Sequence, residues 1–318
     1  MRGVFLDFDT VSFAGDVSAS PLRDVLDGLQ LQPTTAPDQL LAHAAGADVL
    51  LTNKIRLDRH TIEALPELKL ICLAATGTNN VDLDAARARQ VAVCNVAAYC
   101  TAAVVQHVFA LMLALNQHLH EYQTLLASGA WKRAPQFTLL DYPIRELAGR
   151  ALGIVGYGEL GSAVAKAAGA FGMQVLIAAR DHGDNRPGRT PLAGLLAQAD
   201  VVSLHCPLTP DTRGLIGREQ LALMKPDAIL INTARGALVD EQALVDALRS
   251  GQLGGAGIDV LSEEPPVHGN PLLTLTIPNL IVTPHIAWAA REARRRVIDE
   301  MAANIAAFRA GERRNRVV

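Results

Sequence analysis

Three residues carry most of the chemistry this sequence can offer: Arg235, Glu264 and His285. Histidine is the side chain best suited to moving a proton near neutral pH. A carboxylate beside it would accept a hydrogen bond from one ring nitrogen, orient the ring and favour its charged form. The other nitrogen would then be free to donate a proton. A histidine next to a proline, as His285 is to Pro284, is more often a structural hydrogen-bonder when it stands alone, and Glu264 as a companion changes that balance. Arginine supplies a planar fork that matches a carboxylate. Thr233 before Arg235 and Gly236 after it describe a tight strand end rather than the setting of a surface ion pair.

Each of the three follows a different apolar run. Strands are expected over residues 200–205, 228–231, 255–260 and 280–282, ending in HCPLTPDT, NTARG, DVLSEEPP and TPHIAW. Pro207 and Pro210 stop the first of these and lead it into a loop. Four consecutive strands thus deliver polar residues at their carboxyl ends, the edge where open parallel sheets place their ligands.

Upstream, residues 151–180 read as strand, glycine turn, helix and second strand in one piece. The run at 151–155 suits a buried parallel strand, and Gly156, Gly158 and Gly161 follow at once. In a G-x-G-x-x-G turn the first glycine permits the bend, the second lets the backbone approach a pyrophosphate, and the third lets the helix pack on its strand. The expected helix, 160–171, is rich in small residues, and its N–H groups and dipole would hold a phosphate pair without a basic side chain. A strand over 173–179 follows. A carboxylate that binds the ribose hydroxyls is expected at its end, about 20 residues past the glycines. Ala179 stands there instead, then Arg180, with Arg186 and Arg189 beyond and Asp181 one residue on. Arginine without a strand-end carboxylate suits a ribose phosphate, so the expected cofactor is NADP or NAD, with NADPH favoured.

The first hundred residues repeat the alternation. Strands are expected at 3–8, 48–52, 70–75 and 91–95, with helices at 21–29 and 37–45 between the first two, which implies a small parallel sheet. The third strand ends in AATGTNNVD. Thr76, Gly77, Thr78 and Asn79 form either an ordinary polar turn or an anion-binding concavity of backbone N–H groups. Asn53 and Lys54 end the preceding strand and could face the same ligand. Residues 101–115 are apolar nearly all round and read as a buried helix. His118 and His120 do not share a helix face, and no metal site is expected of them. Residues 121–150 carry Trp131, Phe137 and Tyr142 in polar surroundings, which fits a subunit interface or domain packing equally well.

With 318 residues the chain exceeds a typical single core, and two domains are expected. Its formal charge of −3 and dispersed basic residues argue against nucleic-acid binding. The one basic cluster, residues 291–296 with Arg313 and Arg314, is interleaved with acids and reads as a solvated helix face. Cys72, Cys94, Cys100 and Cys206 form no C-x-x-C pair, so buried free thiols and a reducing, cytoplasmic compartment are expected. The longest apolar stretch, 108–115, is too short for a bilayer of about 30 Å, and no membrane association is expected.

Taken together, GYGELG, HCPLTPDT, NTARG, GIDVLSEEP and PHIAW, with AATGTNNVD upstream, resemble the D-isomer-specific 2-hydroxyacid dehydrogenase family from end to end. LLTNKI, AYCTAAVVQHVFALML and PHIAWAAREAR look more particularly like its glycerate dehydrogenase (hydroxypyruvate reductase) branch. The resemblance implies an α/β fold of two doubly wound, Rossmann-like domains with a cleft between them. The outer, substrate-binding domain would be discontinuous, 1–97 plus 286–318, around a dinucleotide domain at 98–285, with crossover helices at 101–115 and 288–308. It also implies a homodimer acting on a small 2-oxo or 2-hydroxy acid. By resemblance Arg235 binds the substrate carboxylate and carbonyl, His285 is the acid–base and Glu264 its partner, while Thr76, Gly77, Thr78 and Asn53 meet the substrate. Thr101, Gly156, Tyr157, Gly158, Glu159, Leu160, Arg180, His205, Pro207, Thr212, Thr233, Ala234, Asp259 and Ala287 are assigned to the cofactor, Asp259 near the carboxamide. Hydroxypyruvate and glyoxylate are the first expected substrates, with a bulkier 2-oxo acid as the alternative. Two rivals share the fold. Formate enzymes of this class lack the carboxylate partner that Glu264 supplies here, and a dinucleotide-sensing corepressor would call for a peptide-binding surface or tail that the sequence does not show.

Overall fold

The computed structural model describes every residue except 181, 182, 185 and 275. The chain divides into two compact units, Met1–Cys100 with Ala289–Val318, and Thr101–Trp288.

In the first unit five strands make one parallel sheet: β1 (Arg2–Phe5), β2 (Gly28–Leu31), β3 (Val49–Thr52), β4 (Leu70–Leu73) and β5 (Ala92–Cys94), in the order β2-β1-β3-β4-β5. β3 and β4 are buried along their whole length, as strands covered on both faces must be, and their side chains meet Val4, Leu6, Ile62 and Val93 in one core. The helix Arg291–Arg309 returns to pack on β4 and on the helix Ser20–Val25. β2 departs from the expected helix over 21–29. The helix stops at Val25, and Gly28 opens an edge strand whose residues alternate between exposed and half-buried. An edge strand with one wet face lacks the continuous apolar run that marks the central ones.

The basic cluster is exposed at Arg291, Arg295, Arg296 and Arg313, as a solvated face would be, but Arg294 departs from that expectation. Arg294 makes a two-point ion pair with Asp16, at 2.6 and 2.8 Å, and its side chain is only 13% exposed. Arg291 donates to the Asp16 carbonyl and Arg296 to that of Tyr99, so these arginines tie the returning helix to loops of its own unit. The guanidinium of Arg294 holds the Asp16 carboxyl down at about 2. Spacing alone does not separate such anchors from solvated charges.

In the second unit β6 (Ala151–Val155), β7 (Gln174–Ala178), β8 (Arg189–Thr190), β9 (Val201–Leu204), β10 (Ile229–Asn232), β11 (Gly255–Ile258) and β12 (Leu280–Val282) form a parallel sheet in the order β12-β11-β10-β9-β6-β7-β8. The chain runs outward from β6 to β8, then restarts on the other side at β9. The order therefore reverses between β6 and β9, and the crevice outside their carboxyl ends is where such sheets bind ligands. The helix Thr101–Asn116 lies on β10, β11 and β12, burying Val108, Leu111, Met112 and Leu115. After it, residues 119–144 form the helices Leu119–Ala127 and Ala130–Arg133, the second with Trp131 exposed, and an irregular stretch on which Phe137, Leu140 and Ile144 are exposed. Tyr142 instead packs edge-on against Tyr122 at 5.1 Å and stacks on His118. All four cysteines are free, Cys72 and Cys94 buried. Among the described residues no single helix is long and apolar enough to cross a membrane.

Candidate active site

β10, β11 and β12 are neighbours, so the segments that follow them emerge side by side at one edge of the sheet. Arg235 comes from the first, Glu264 from the second and His285 from the third. His285 Nδ1 lies 2.6 Å from Glu264 Oε2. The other carboxylate oxygen, Oε1, accepts the Leu261 N–H at 2.9 Å, which closes the loop on itself and aims the carboxylate. With Nδ1 bonded to a carboxylate, Nε2 is the ring atom left for a substrate, and the short contact fixes the orientation of the ring.

His285 sits in the left-handed region, φ 55°, an uncommon conformation for a residue with a side chain. Asp259 holds it there. Its carboxylate, at the end of β11 and 1% exposed, accepts the N–H of Ile286 on Oδ1 and of Ala287 on Oδ2, both at 2.9 Å, while its carbonyl accepts the His285 N–H at 2.7 Å. Oδ1 also accepts the Thr283 hydroxyl at 2.6 Å, so that hydroxyl is left as acceptor for His107 Nε2 at 3.0 Å. A buried carboxylate with this many donors is a rigid clamp. Thr283 and His107 were not foreseen, and a histidine on an apolar helix carries no sequence signal for such a partnership.

Arg235 is held in extended backbone by Asn232, whose side chain donates to the Arg235 carbonyl at 2.9 Å and accepts the Ala234 N–H at 3.0 Å. Asn232 is fully buried and was also unforeseen, although it stands within NTARG. One Arg235 nitrogen donates to the Ala234 carbonyl at 2.6 Å, turning the guanidinium back over the strand end.

The residues around the sheet's switch point fit a dinucleotide. Gly156 has φ +98°, and a Cβ there would lie 2.4 Å from the Cys206 nitrogen, so β6 and β9 can only come this close with glycine. A Cβ on Gly161 would lie 2.0 Å from the Gly156 carbonyl oxygen, which lets the helix Glu159–Ala170 begin directly against the turn. Gly158 faces open space and caps the helix without a side chain, so the first-turn N–H groups, those of Leu160 among them, point at whatever fills it. Among the described residues, His205 Nδ1 and Thr233 Oγ1 are buried atoms without a partner, at the ends of β9 and β10. Buried polar atoms are rarely left so in a finished structure, and a ligand that supplies their bonds accounts for both.

The remaining expected residues are placed as follows. Glu159 accepts the Thr101 hydroxyl at 3.0 Å. The Thr212 hydroxyl donates to the Pro207 carbonyl at 2.8 Å and accepts the Thr209 N–H at 2.7 Å, which locks the loop after β9. Ala287 is buried in the Asp259 clamp. Tyr157 is exposed, with the Arg189 guanidinium 5.0 Å from its ring centre. Arg180 is exposed just past β7, while Arg186 forks onto Asp184 at 2.6 and 2.7 Å and so is already committed to a carboxylate. Arg186 and the Arg180 N–H hold the Asp184 carboxyl well below the usual range. Asp181 lies outside the described residues. In the first unit, Thr76, Gly77 and Thr78 follow β4 and Asn53 follows β3. Thr76 spends its hydroxyl on the Val96 carbonyl, and Asn53 donates its side-chain amide to Thr10. The buried Asp7 carboxylate, pushed up by that burial, gathers the N–H groups of Asn53 and Lys54.

His205 gives a stability prediction. Its Nε2 lies 2.9 Å from Ser203 Oγ, and burial pushes the imidazole down to about 4. An unfolded histidine titrates near pH 6.5, so between there and about pH 4 the unfolded chain binds a proton that the native chain refuses. Stability should therefore fall as pH drops through that window, by on the order of 2–3 kcal/mol at its lower end. Thermal melts of the apo protein check this. His205→Gln should flatten the decline, and an equally steep decline in the variant would contradict it.

The model of the NAD binding domain of D-isomer specific 2-hydroxyacid dehydrogenases matches residues 109–287. A glycerate dehydrogenase of Methylorubrum extorquens is 46% identical over 312 residues, covering 98% of this chain and 97% of that protein. A hydroxypyruvate reductase of Blautia hydrogenotrophica is 40% identical over 281 residues, 87% of each chain. Among solved structures, an acyclic imino acid reductase in complex with NADPH and D-Arg superposes with a TM-score of 0.86 at 26% identity, covering all of both chains. The chain belongs to the D-isomer-specific 2-hydroxyacid dehydrogenase family. It is an NAD(P)-dependent oxidoreductase with two Rossmann-like domains.

Proposed function

We propose that the protein reduces hydroxypyruvate or glyoxylate to the D-2-hydroxy acid, using NADPH in preference to NADH, with Arg235, Glu264 and His285 as its catalytic residues. The observation that carries this reading is the bond between His285 Nδ1 and Glu264 on the strand next to Arg235's. The 46% identity to a glycerate dehydrogenase across nearly the whole chain supports the choice of substrate.

A bound nicotinamide dinucleotide supplies the hydride. The Gly156 turn, the N-terminus of the helix Glu159–Ala170 and the unpartnered atoms of His205 and Thr233 would hold it. Arg235 takes the substrate carboxylate on its fork and polarises the neighbouring carbonyl. His285 gives the proton on Nε2 to the carbonyl oxygen as negative charge develops there, and Glu264 keeps that proton available until the moment of transfer. In the first unit Thr76, Gly77, Thr78 and Asn53, at the ends of β4 and β3, are the residues assigned to the substrate. The first unit is thus the substrate-binding domain and the second the dinucleotide domain.

Arg180 supports the preference for NADPH. It is the exposed cation at the end of β7, and Asp184, the described carboxylate nearest in the chain, is already paired with Arg186. The apolar side chains exposed between Trp131 and Ile144 support a homodimer, and the free thiols fit a cytoplasmic setting. The test is spectrophotometric oxidation of NADPH and NADH against a panel of small 2-oxo acids. Turnover with none of them, or with bulky 2-oxo acids alone, would refute the assignment. Arg180→Ala should weaken NADPH binding roughly 10-fold or more and NADH binding far less. Equal weakening of both would remove the basis for the preference.

A further inference from the structure

Glu241 begins the helix Glu241–Ser250, directly after Asp240, which caps it by accepting the Ala243 N–H. An acidic residue in a first turn suits the helix dipole, and that role needs no partner. Here both oxygens are engaged in the loop that follows β11. Oε1 accepts the Ser262 N–H at 2.7 Å, and Oε2 accepts the Ser262 hydroxyl at 2.7 Å and the Asn270 side-chain amide at 2.9 Å. Ser262 stands just before Glu264, and Asn270, buried to 5% exposure, closes the far end of the same loop. One carboxylate thus fastens both ends of the segment to a helix. Bonds inside the loop, such as Val267 N–H to Pro265 and Gly269 N–H to Pro266, shape its turns without tying it to the sheet.

We propose that Glu241 is a positioning residue for the acid–base pair: its carboxylate holds the loop in the one placement that sets Glu264 against His285 Nδ1. The inference rests on the reading of His285 as proton donor and Glu264 as its partner. Charge-assisted bonds to a backbone N–H, a hydroxyl and an amide are strong and directional. Losing them frees Ser262 and Asn270 together and lets Glu264 swing. The imidazole then loses the carboxylate set against its Nδ1, the same consequence as removing the Glu264 charge.

The experiment is the pH dependence of kcat and KM for hydroxypyruvate reduction, with the dissociation constant of NADPH, in five proteins: wild type, Glu264→Gln, Glu241→Ala, Glu241→Gln and the double variant Glu241→Ala with Glu264→Gln. Glu264→Gln should move the alkaline limb of the kcat profile to lower pH. Glu241→Ala should move it the same way and lower kcat roughly 10-fold, with the NADPH constant unchanged. Glu241→Gln keeps one acceptor oxygen and should fall between Glu241→Ala and wild type. The double variant should be no worse than Glu264→Gln alone, because a positioning residue has nothing left to position. A wild-type limb in Glu241→Ala, or additive losses in the double variant, overturns the proposal while leaving the pair itself intact. A wild-type limb in Glu264→Gln overturns the pair and this inference with it. Should Glu241→Ala fail to fold, Ser262→Ala removes only the hydroxyl bond and must shift the limb in the same direction; no shift overturns the proposal.

Discussion

Replacing His285 with alanine should lower turnover in 2-oxo acid reduction by roughly 10²–10⁴-fold, the usual contribution of a positioned general acid. The dissociation constant of the dinucleotide should be unchanged. The two effects separate because the glycine turn after β6 and the unpartnered atoms of His205 and Thr233 lie at the ends of β6, β9 and β10, whereas the His285 side chain follows β12. Its left-handed backbone does not confound the experiment. That conformation is held by Asp259 through the N–H groups of residues 285–287, which alanine retains, and alanine meets the same steric cost at φ 55°. Steady-state kinetics and a fluorescence titration of the cofactor read both quantities. Turnover within a few-fold of wild type would leave the protein without its proton donor, and the proposed chemistry would have to be abandoned.

Gly236→Ala should be nearly as damaging, for a reason that lies in the backbone. A Cβ at Gly236 would lie 1.9 Å from the Leu261 carbonyl carbon, 2.2 Å from its oxygen and 2.3 Å from the Ser262 nitrogen. Backbone cannot rotate away as a side-chain tip can, so one of the two segments must move. One of them begins at Arg235; the other carries Ser262 and leads into Glu264. Overpacking of this kind usually costs about 1–3 kcal/mol, and overlap with a main-chain peptide rather than a side chain puts Gly236 at the upper end. We expect a lowered melting temperature together with at least a 100-fold loss of kcat/KM, since near-ångström displacement of catalytic groups has effects of that order. Binding of the dinucleotide alone should survive. A variant with wild-type melting and kinetics would show that the two strand ends are not packed as described.

How far these features can be read from residues alone differs from element to element. β3, β4, β6 and β9 are continuous apolar runs, and burial on both faces is the condition that produces such runs, so their existence and parallel pairing follow from composition. β2 did not follow, because an edge strand of alternating exposure resembles the end of a helix once its neighbour β1 is out of view. The glycine turn is legible for a steric reason: the close approaches at Gly156 and Gly161 exclude every other residue, so spacing records geometry. Arg294 reads as solvated, like its exposed neighbours, because a charge pattern is the same whether its partner is water or Asp16, and Asp16 lies far away in the chain.

What the sequence determined by itself is therefore the buried strands, their order of appearance and the polar residues stranded at their ends, since each of these is written in local periodicity and in residues that tolerate no substitute. Glu264 was expected beside His285 from the resemblance; what only the tertiary structure decided is which residues hold that pair and Arg235 in place: Asp259 beneath the His285 turn, Asn232 under Arg235, and Glu241 across the loop. Such contacts arise between segments far apart in the chain that the sheet order β12-β11-β10 brings side by side, and they depend on angles and distances at strand ends that no local pattern encodes.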